Sequence, residues 1–263
     1  MRALVWFRSD LRVSDNTALH RAASVSTRGV IAVFVISPAQ WKEHDWAACR
    51  VDLMLRTLRE LSGALKATNI PLLIVRAERF SDVPAALLKV AKSHACDALY
   101  YNIEYEINES RRDDAVARAA AKSGLAVHAL HDQTVFPPES IRTGQGTFYT
   151  VFTPFKKSWL KRADEAGPIK LLSKPRKQDG AGVEPDDVPE QVKGFESKIP
   201  ADLWPAGESA AQKRLGQFVE MRAQAYAAAR NTPAIDGTST LSAYLAIGAI
   251  SSRQCIAAAA ESN

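Results

Sequence analysis

The sequence predicts an α/β fold over about its first 131 residues: an open, parallel, five-stranded sheet with helices on both faces. Two observations predict it. Five short runs rich in Val, Ile, Leu and aromatic residues are apolar on both sides, as buried parallel strands are. Helical patterns separate these runs, and strands that alternate with helices connect through right-handed crossovers into one parallel sheet.

The predicted strands are of similar short length. They cover Ala3–Phe7, Val30–Ile36, residues 71–75, Ala98–Asn102 and Ala126–Leu130. We expect all five to be buried on both faces, because each run lacks the polar alternation of a half-exposed strand.

Four helical patterns separate the strands. The first begins near Asp15, whose carboxylate is expected to accept from free N–H groups of the first turn. The second covers residues 52–66 with leucines on one side, the third follows a cap at Ser81, and the fourth covers residues 108–122.

Residues 132–203 break the periodic pattern with recurring prolines, glycines and charges, which predicts a long interdomain linker. Within it, residues 149–162 combine aromatic side chains with four basic ones. We expect a short helix here that docks Phe155 and Trp159 onto the domain. A surface that stacks on or clamps a ligand is the alternative.

Residues 204–263 return to helical character. Ser209 with Gln212, and Ser251 with Gln254, have the spacing of capping boxes. Two or three helices of this length bury too little apolar surface to stand alone. We therefore expect them to dock on a partner outside the sequence, and we expect the chain to be truncated.

Composition narrows the possible functions. A net charge of +5 and a pI of about 9.1 suit a polyanionic partner. No apolar run approaches the ~20 residues of a membrane helix, and Arg8 and Asp10 come too early for a signal peptide, so a cytoplasmic protein is expected. The three cysteines are far apart without a CxxC pair, and neither a disulfide nor a bound metal is predicted.

The first predicted strand leads into Arg8, Ser9 and Asp10, without a GxGxxG or a P-loop motif. This excludes a standard dinucleotide fold and a P-loop NTPase. Ligands of open α/β sheets still bind beyond the carboxyl ends of the strands. The loops after the first, second and fourth strands are therefore the expected binding region.

Four segments carry motifs whose order and spacing cover the whole chain. They are LVWFRSDLR at 4–12 with DNTAL at 15–19, YNIEYEINE at 101–109, VFTPF at 151–155 with Trp159, and GTSTLSAYLAIG at 237–248 with ISSR at 250–253. Together they resemble the photolyase/cryptochrome family, and in particular the bacterial photolyases that split cyclobutane pyrimidine dimers.

The resemblance implies a two-domain, light-driven enzyme that is a monomer. Residues 1–131 would bind an antenna chromophore, 5,10-methenyltetrahydrofolate, which passes excitation to FAD. Residues 204–263 would begin the all-helical FAD domain, which binds damaged DNA and receives the flipped-out dimer. Excited reduced flavin then donates an electron to the dimer, which splits. The resemblance places no catalytic residue in this chain, and we expect the fragment to be inactive alone.

The antenna residues implied by the resemblance are His44, Asn108 and Glu109. A carboxylate and an amide can pair with the donor and acceptor edge of a pterin ring. Read without the resemblance, His44 is a loop residue and the other two cap a helix start. A deazaflavin antenna, or none, stays open.

For FAD, the resemblance implies Tyr226 and a segment that wraps the phosphates, namely Thr238, Ser239, Thr240, Leu241 and Ser242. Hydroxyls and N–H groups at a helix start suit a pyrophosphate, although the same residues serve as helix caps and Tyr226 as core. Ala243 departs from the proline of many relatives. Arg230 matches a DNA-contacting residue and could hold a phosphate bidentately; the alternative is a solvated surface arginine.

Two rival functions remain at this stage. A cryptochrome-type photoreceptor would share the fold, the antenna domain and the FAD segment. A chain that is only an antenna or nucleotide-binding module is the second, because most flavin contacts would lie outside it.

Overall fold

The computed structural model describes residues 1–261 and contains the predicted five-stranded parallel sheet. Its strands are β1 (Ala3–Phe7), β2 (Val30–Ile36), β3 (Leu72–Arg76), β4 (Ala98–Asn102) and β5 (Ala126–Leu130). Their order is β3-β2-β1-β4-β5, and every neighbouring pair is parallel. Four strands have the predicted bounds, and β3 lies one residue later than predicted.

Helices cover both faces of the sheet, as the fold class predicts. The sheet-covering helices are α1 (Thr17–Val25), α2 (Pro38–Glu43), α3 (Ala48–Lys66), α4 (Val83–Ser93) and α5 (Ile107–Ser123). Successive side chains of a strand point to opposite faces, so Val5 and Phe7 enter one core and Leu4 and Trp6 the other. Leucines of α1 and α3 complete the first core, and α4 and α5 complete the second.

Two local expectations about the helices were wrong, and one short helix was not predicted. The cap of α1 is Asn16, whose side chain accepts from the Leu19 N–H, whereas Asp15 has a φ of 51° and points elsewhere. A 3₁₀ turn at Phe80–Asp82 precedes α4, so Ser81 does not cap that helix. The short helix α2 has no sequence prediction, because six residues are too few to show a helical period.

The expected burial of the last strand was also wrong. Side chains of β5 are exposed or half-buried, because β5 is an edge of the sheet. The other edge, β3, is covered by the chain itself: Asp186 donates its N–H to the Leu72 carbonyl and accepts from the Ile74 N–H.

The segment of residues 132–203 wraps the α/β domain. It contributes Val192 and Phe195 to the first core and carries one longer helix, α6 (Phe152–Ala166). No residue of α6 is buried, and Phe152 is 71% exposed. Trp159 packs edge-on against Phe136 of the same segment, with 5.5 Å between ring centres, so it does not dock onto the α/β domain as expected.

Residues from 204 onward form α7 (Glu208–Met221), α8 (Tyr226–Ala229), α9 (Ser242–Ala246) and α10 (Ser252–Glu261). The Ser251–Gln254 capping box is confirmed by reciprocal bonds of 2.8 and 2.9 Å. The Ser209 box was wrong, because α7 already begins at Glu208.

These helices join the core of the α/β domain, where Leu215, Tyr244 and Ile250 are buried. They therefore dock on this chain itself, contrary to the expectation, although Met221, Tyr226, Ile235 and Leu245 remain exposed. The domain boundaries at 131 and 203 stay a prediction. None of the helices within residues 1–261 combines the length and apolar character needed to cross a membrane.

Candidate functional site

A cavity of about 700 Å³ lies at the carboxyl ends of β1, β2 and β4. This is the region where open parallel sheets bind ligands, and it contains the predicted loops. Its walls come from Trp41 and Trp46, from the starts of α3 and α5, and from Ala246 and Ile247 of the C-terminal helical segment. The cavity therefore lies between the sheet and the helices from 204 onward.

The three predicted antenna residues meet in this cavity. The amides of Gln40 and Asn108 donate to Nε2 of His44 at 3.0 and 3.1 Å. The amide oxygen of Gln40 accepts from the Phe80 N–H at 3.1 Å, which orients that amide. The proton of the neutral imidazole therefore lies on Nδ1, 3.6 Å from a carboxylate oxygen of Glu109.

Below this trio, two arginines and two carboxylates form a buried ion cluster. Arg112 contacts Glu104 at 2.7 Å and Asp113 at 2.8 Å, and Arg8 contacts Asp113 at 2.9 Å. Both guanidinium groups lie against the Trp6 ring, at 4.2 and 4.7 Å from its centre. Within residues 1–261, Nε1 of Trp6 and Nε of Arg8 have no hydrogen-bond acceptor, so two donors at the cavity floor are unused.

The cluster shifts the titration of Glu104. Burial alone would raise the pKa of this carboxyl, but Arg8 and Arg112 outweigh burial and hold the pKa at about 2. Since the folded-state pKa lies below the ordinary value of 4.5, the carboxylate stabilises the fold above that value. The contribution is lost as the pH falls through about 2.

We therefore expect Glu104→Gln to lower the free energy of unfolding by about 3 kcal/mol at neutral pH, the equivalent of the pKa shift. Urea unfolding between pH 7 and pH 2 checks this, with Glu78→Gln of an exposed surface pair as the control. The difference in the free energy of unfolding between Glu104→Gln and wild type should shrink as the pH falls below 4.5. A deficit that stays constant with pH would contradict it.

The predicted FAD residues are not part of the cavity lining. Gly237 packs so closely on α8 that an added Cβ would lie 2.5 Å from the Cβ of Ala229, the last residue of the helix that begins at Tyr226. Thr238 and Ser242 are exposed, and Ser239 is half-buried. The Leu241 side chain is buried in the core, so only its backbone can face a ligand.

Sequence reasoning missed a cation beside this segment. Arg214 of α7 donates to the Thr240 hydroxyl at 2.6 Å and lies over the Trp204 ring. No spacing rule links residues 26 positions apart, so no sequence signal could have found it. Arg230 is exposed, with its guanidinium 5.6 Å from the centre of the Tyr226 ring.

The fold of the chain agrees with a comparison with known families. A model described as DNA photolyase matches residues 3–175. The chain belongs to the DNA photolyase family. The resemblance inferred from the four sequence segments is thereby confirmed.

Photolyase relatives match along nearly the whole chain. The deoxyribodipyrimidine photo-lyase of Vibrio cholerae is 38% identical over 259 residues, which are 97% of this chain and 54% of that protein. That of Escherichia coli is 36% identical over 258 residues, which are 96% of this chain and 53% of that protein. The chain therefore spans about half the length of these relatives.

Solved photolyase-family structures share the fold. A class III photolyase from Agrobacterium tumefaciens has a TM-score of 0.80 at 25% identity, covering 98% of this chain and 52% of its own. Two further structures match in fold alone. A Synechocystis cryptochrome has a TM-score of 0.82 at 22% identity, covering 97% of this chain and 54% of its own. A Sulfolobus tokodaii photolyase with two FAD molecules has a TM-score of 0.73 at 24% identity, with the same coverages.

In this photolyase-family chain, a buried ion network holds the C-terminal helices against the sheet. Arg253 binds Asp15 at 2.9 Å and Asp132 at 2.8 Å, and both carboxylates are fully buried. Arg12 also pairs with Asp132 and donates to the Gly248 carbonyl at 3.1 Å. The network fixes the position of Ile247, and with it one wall of the cavity.

Proposed function

We propose that this chain provides the antenna domain and the first flavin-binding helices of a deoxyribodipyrimidine photo-lyase, which uses light to split pyrimidine dimers in DNA. The observation that carries the proposal is the meeting of His44, Asn108 and Glu109 in one cavity at the carboxyl edge of the sheet. Photo-lyase relatives matched along 96–97% of the chain support it.

The antenna proposed for this cavity is 5,10-methenyltetrahydrofolate. The Glu109 carboxylate accepts hydrogen bonds from the amino and ring N–H groups of a pterin, and Asn108 offers both a donor and an acceptor. The hydrogen bonds of His44 to Gln40 and Asn108 keep the Asn108 amide in place. A volume of about 700 Å³ is within the range of small-molecule sites.

FAD is the second cofactor proposed. The hydroxyls of Thr238, Ser239 and Ser242, the backbone at Leu241 and the Thr240–Arg214 pair would bind its phosphates, with Tyr226 beside them. When bound, the antenna supplies absorbed light energy and FAD supplies the electron that splits the dimer. Arg230 is proposed to hold a phosphate of the damaged strand, and the protein to act as a cytoplasmic monomer.

The antenna proposal predicts a large effect of Glu109→Gln. Removing the charge-assisted hydrogen bonds to the pterin should weaken binding of 5,10-methenyltetrahydrofolate by about tenfold to a hundredfold. Absorbance titration of the purified chain measures this, with Glu43→Gln on the exposed end of α2 as the control. Equal affinities of the two variants for the folate would show that Glu109 does not bind the pterin.

A light-dependent repair assay on dimer-containing DNA tests whether this chain is active alone. Because the chain spans about half of its relatives, we expect residues 1–263 alone to give no turnover. Measurable light-dependent turnover would contradict this. A cryptochrome-type photoreceptor, which would share this fold, is the alternative function.

A further inference from the structure

Arg50 is a cation in the cavity to which the antenna proposal gives no role. Its guanidinium carbon lies 3.9 Å from the centre of the Trp46 ring. Trp46 stacks on Trp41 with ring centres 5.2 Å apart and planes within 6° of parallel. Because Trp41 occupies one face of Trp46, Arg50 covers the other. All three side chains line the cavity, so the stack holds the guanidinium plane at its wall.

The Arg50 guanidinium has no polar partner in the described part of the chain. It makes neither a hydrogen bond nor an ion pair there, and it is half-buried. Burial lowers the pKa of Arg50, and this outweighs the attraction of Glu104, Glu106 and Glu109, none of which forms an ion pair with it. Its N–H donors line the cavity without a protein acceptor among residues 1–261, so they are available to an acceptor group of a ligand there.

The position of Arg50 along its helix is also unfavourable for a cation. It is the third residue of α3, whose first turn has no acidic residue and no side-chain cap. The partial positive charge of a helix start favours anions and disfavours cations. The contact with the Trp46 ring stabilises the guanidinium but gives its N–H groups no acceptor, and an anion in the cavity would provide one.

We propose that Arg50 is a specificity-determining residue that binds the anionic end of the antenna, the glutamyl carboxylates of a reduced folate. The inference rests on the proposed antenna function. The methenyl-bridged pterin end carries a positive charge and the glutamyl end is negative. The cavity matches this polarity, with Glu106 and Glu109 at α5 and Arg50 at α3. The guanidinium fork binds a carboxylate bidentately, and the stack on Trp46 pre-orients it.

The test compares two ligands that differ only in the charge of the tail: 5,10-methenyltetrahydrofolate and its glutamyl dimethyl ester. Wild-type chain should bind the free acid about tenfold to a hundredfold more tightly than the ester, as expected for a charge-assisted pair. Arg50→Gln should bind both forms with the affinity of the ester. Arg50→Lys should restore part of the preference, and Lys66→Gln, at the exposed far end of α3, should keep all of it.

Four results would overturn the proposal, and they are distinguishable. If wild type binds neither ligand, the folate antenna and the Arg50 subsite both fail. If wild type binds both forms equally, or if Arg50→Gln keeps the wild-type preference, only the subsite fails. Without ligand, Arg50→Gln should melt within about 2 °C of wild type, because losing the contact with the Trp46 ring and removing a cation from the helix start have opposite effects on stability. A larger fall in the melting temperature would make Arg50 a structural residue.

Discussion

Gly248→Ala is expected to lower the free energy of unfolding by about 3 kcal/mol, through backbone strain and overpacking together. Gly248 has a φ of 67°, where a side chain is disfavoured, and an added Cβ would lie 2.0 Å from the Ser9 carbonyl oxygen. That oxygen belongs to the backbone after β1, so no side-chain rotation relieves the overlap. The C-terminal helices must move away from the sheet.

Urea unfolding measures the loss, and folate titration reports its consequence at the cavity. Displacing Ile247 opens one wall, so Gly248→Ala should also weaken antenna binding. Gly63→Ala is the matched control, since Gly63 lies inside α3 and its added Cβ meets nothing within 4 Å. Gly63→Ala should raise the free energy of unfolding by about 0.5–1 kcal/mol. Equal stability of the two variants would disprove the close contact at Gly248.

Arg253→Gln is expected to destabilise the chain by about 3–5 kcal/mol, the usual effect of removing one partner of a buried ion pair. The variant leaves Asp15 without its cation and Asp132 with Arg12 alone, while both carboxylates stay buried. The control is Arg28→Gln, whose pair with Asp97 is about half-exposed. Exposed pairs contribute under about 1 kcal/mol.

The pH dependence gives a second check on Arg253. Burial alone would raise the pKa of Asp132, but Arg12 and Arg253 outweigh burial and lower it. The stabilisation from this carboxylate is therefore present above the ordinary Asp pKa of about 3.9 and is lost as the pH falls through the lower, folded-state value. The difference between Arg253→Gln and wild type should shrink below about pH 4. A difference independent of pH would mean that Arg253 acts by packing alone.

The strands could be predicted because their signal is local. An apolar run such as that of β2 specifies a buried strand from its own residues, and Ser251 with Gln254 specifies a helix start within four positions. The exposure of β5 could not be predicted, because it depends on the order of strands in the sheet.

The buried ion network around Arg253 could not be predicted either, because its partners are far apart in the sequence. Asp15 stands before a helix and has the residue type of a cap, but it pairs with Arg253, 238 positions later in the chain. The meeting of His44 with Asn108 and Glu109 was anticipated only through the family resemblance. Arg50 and its ring stack had no sequence signal, since an arginine near a helix start is unremarkable until its partners are known.

The most direct test is the near-UV and visible absorption spectrum of the purified chain after incubation with 5,10-methenyltetrahydrofolate and removal of the unbound compound. A retained pterin-like band, at close to one equivalent and released on denaturation, is the predicted result. It would place a chromophore in the cavity at the edge of the sheet, and its loss in Glu109→Gln would assign the site. A chain that retains no band would contradict the antenna function and leave only the family fold.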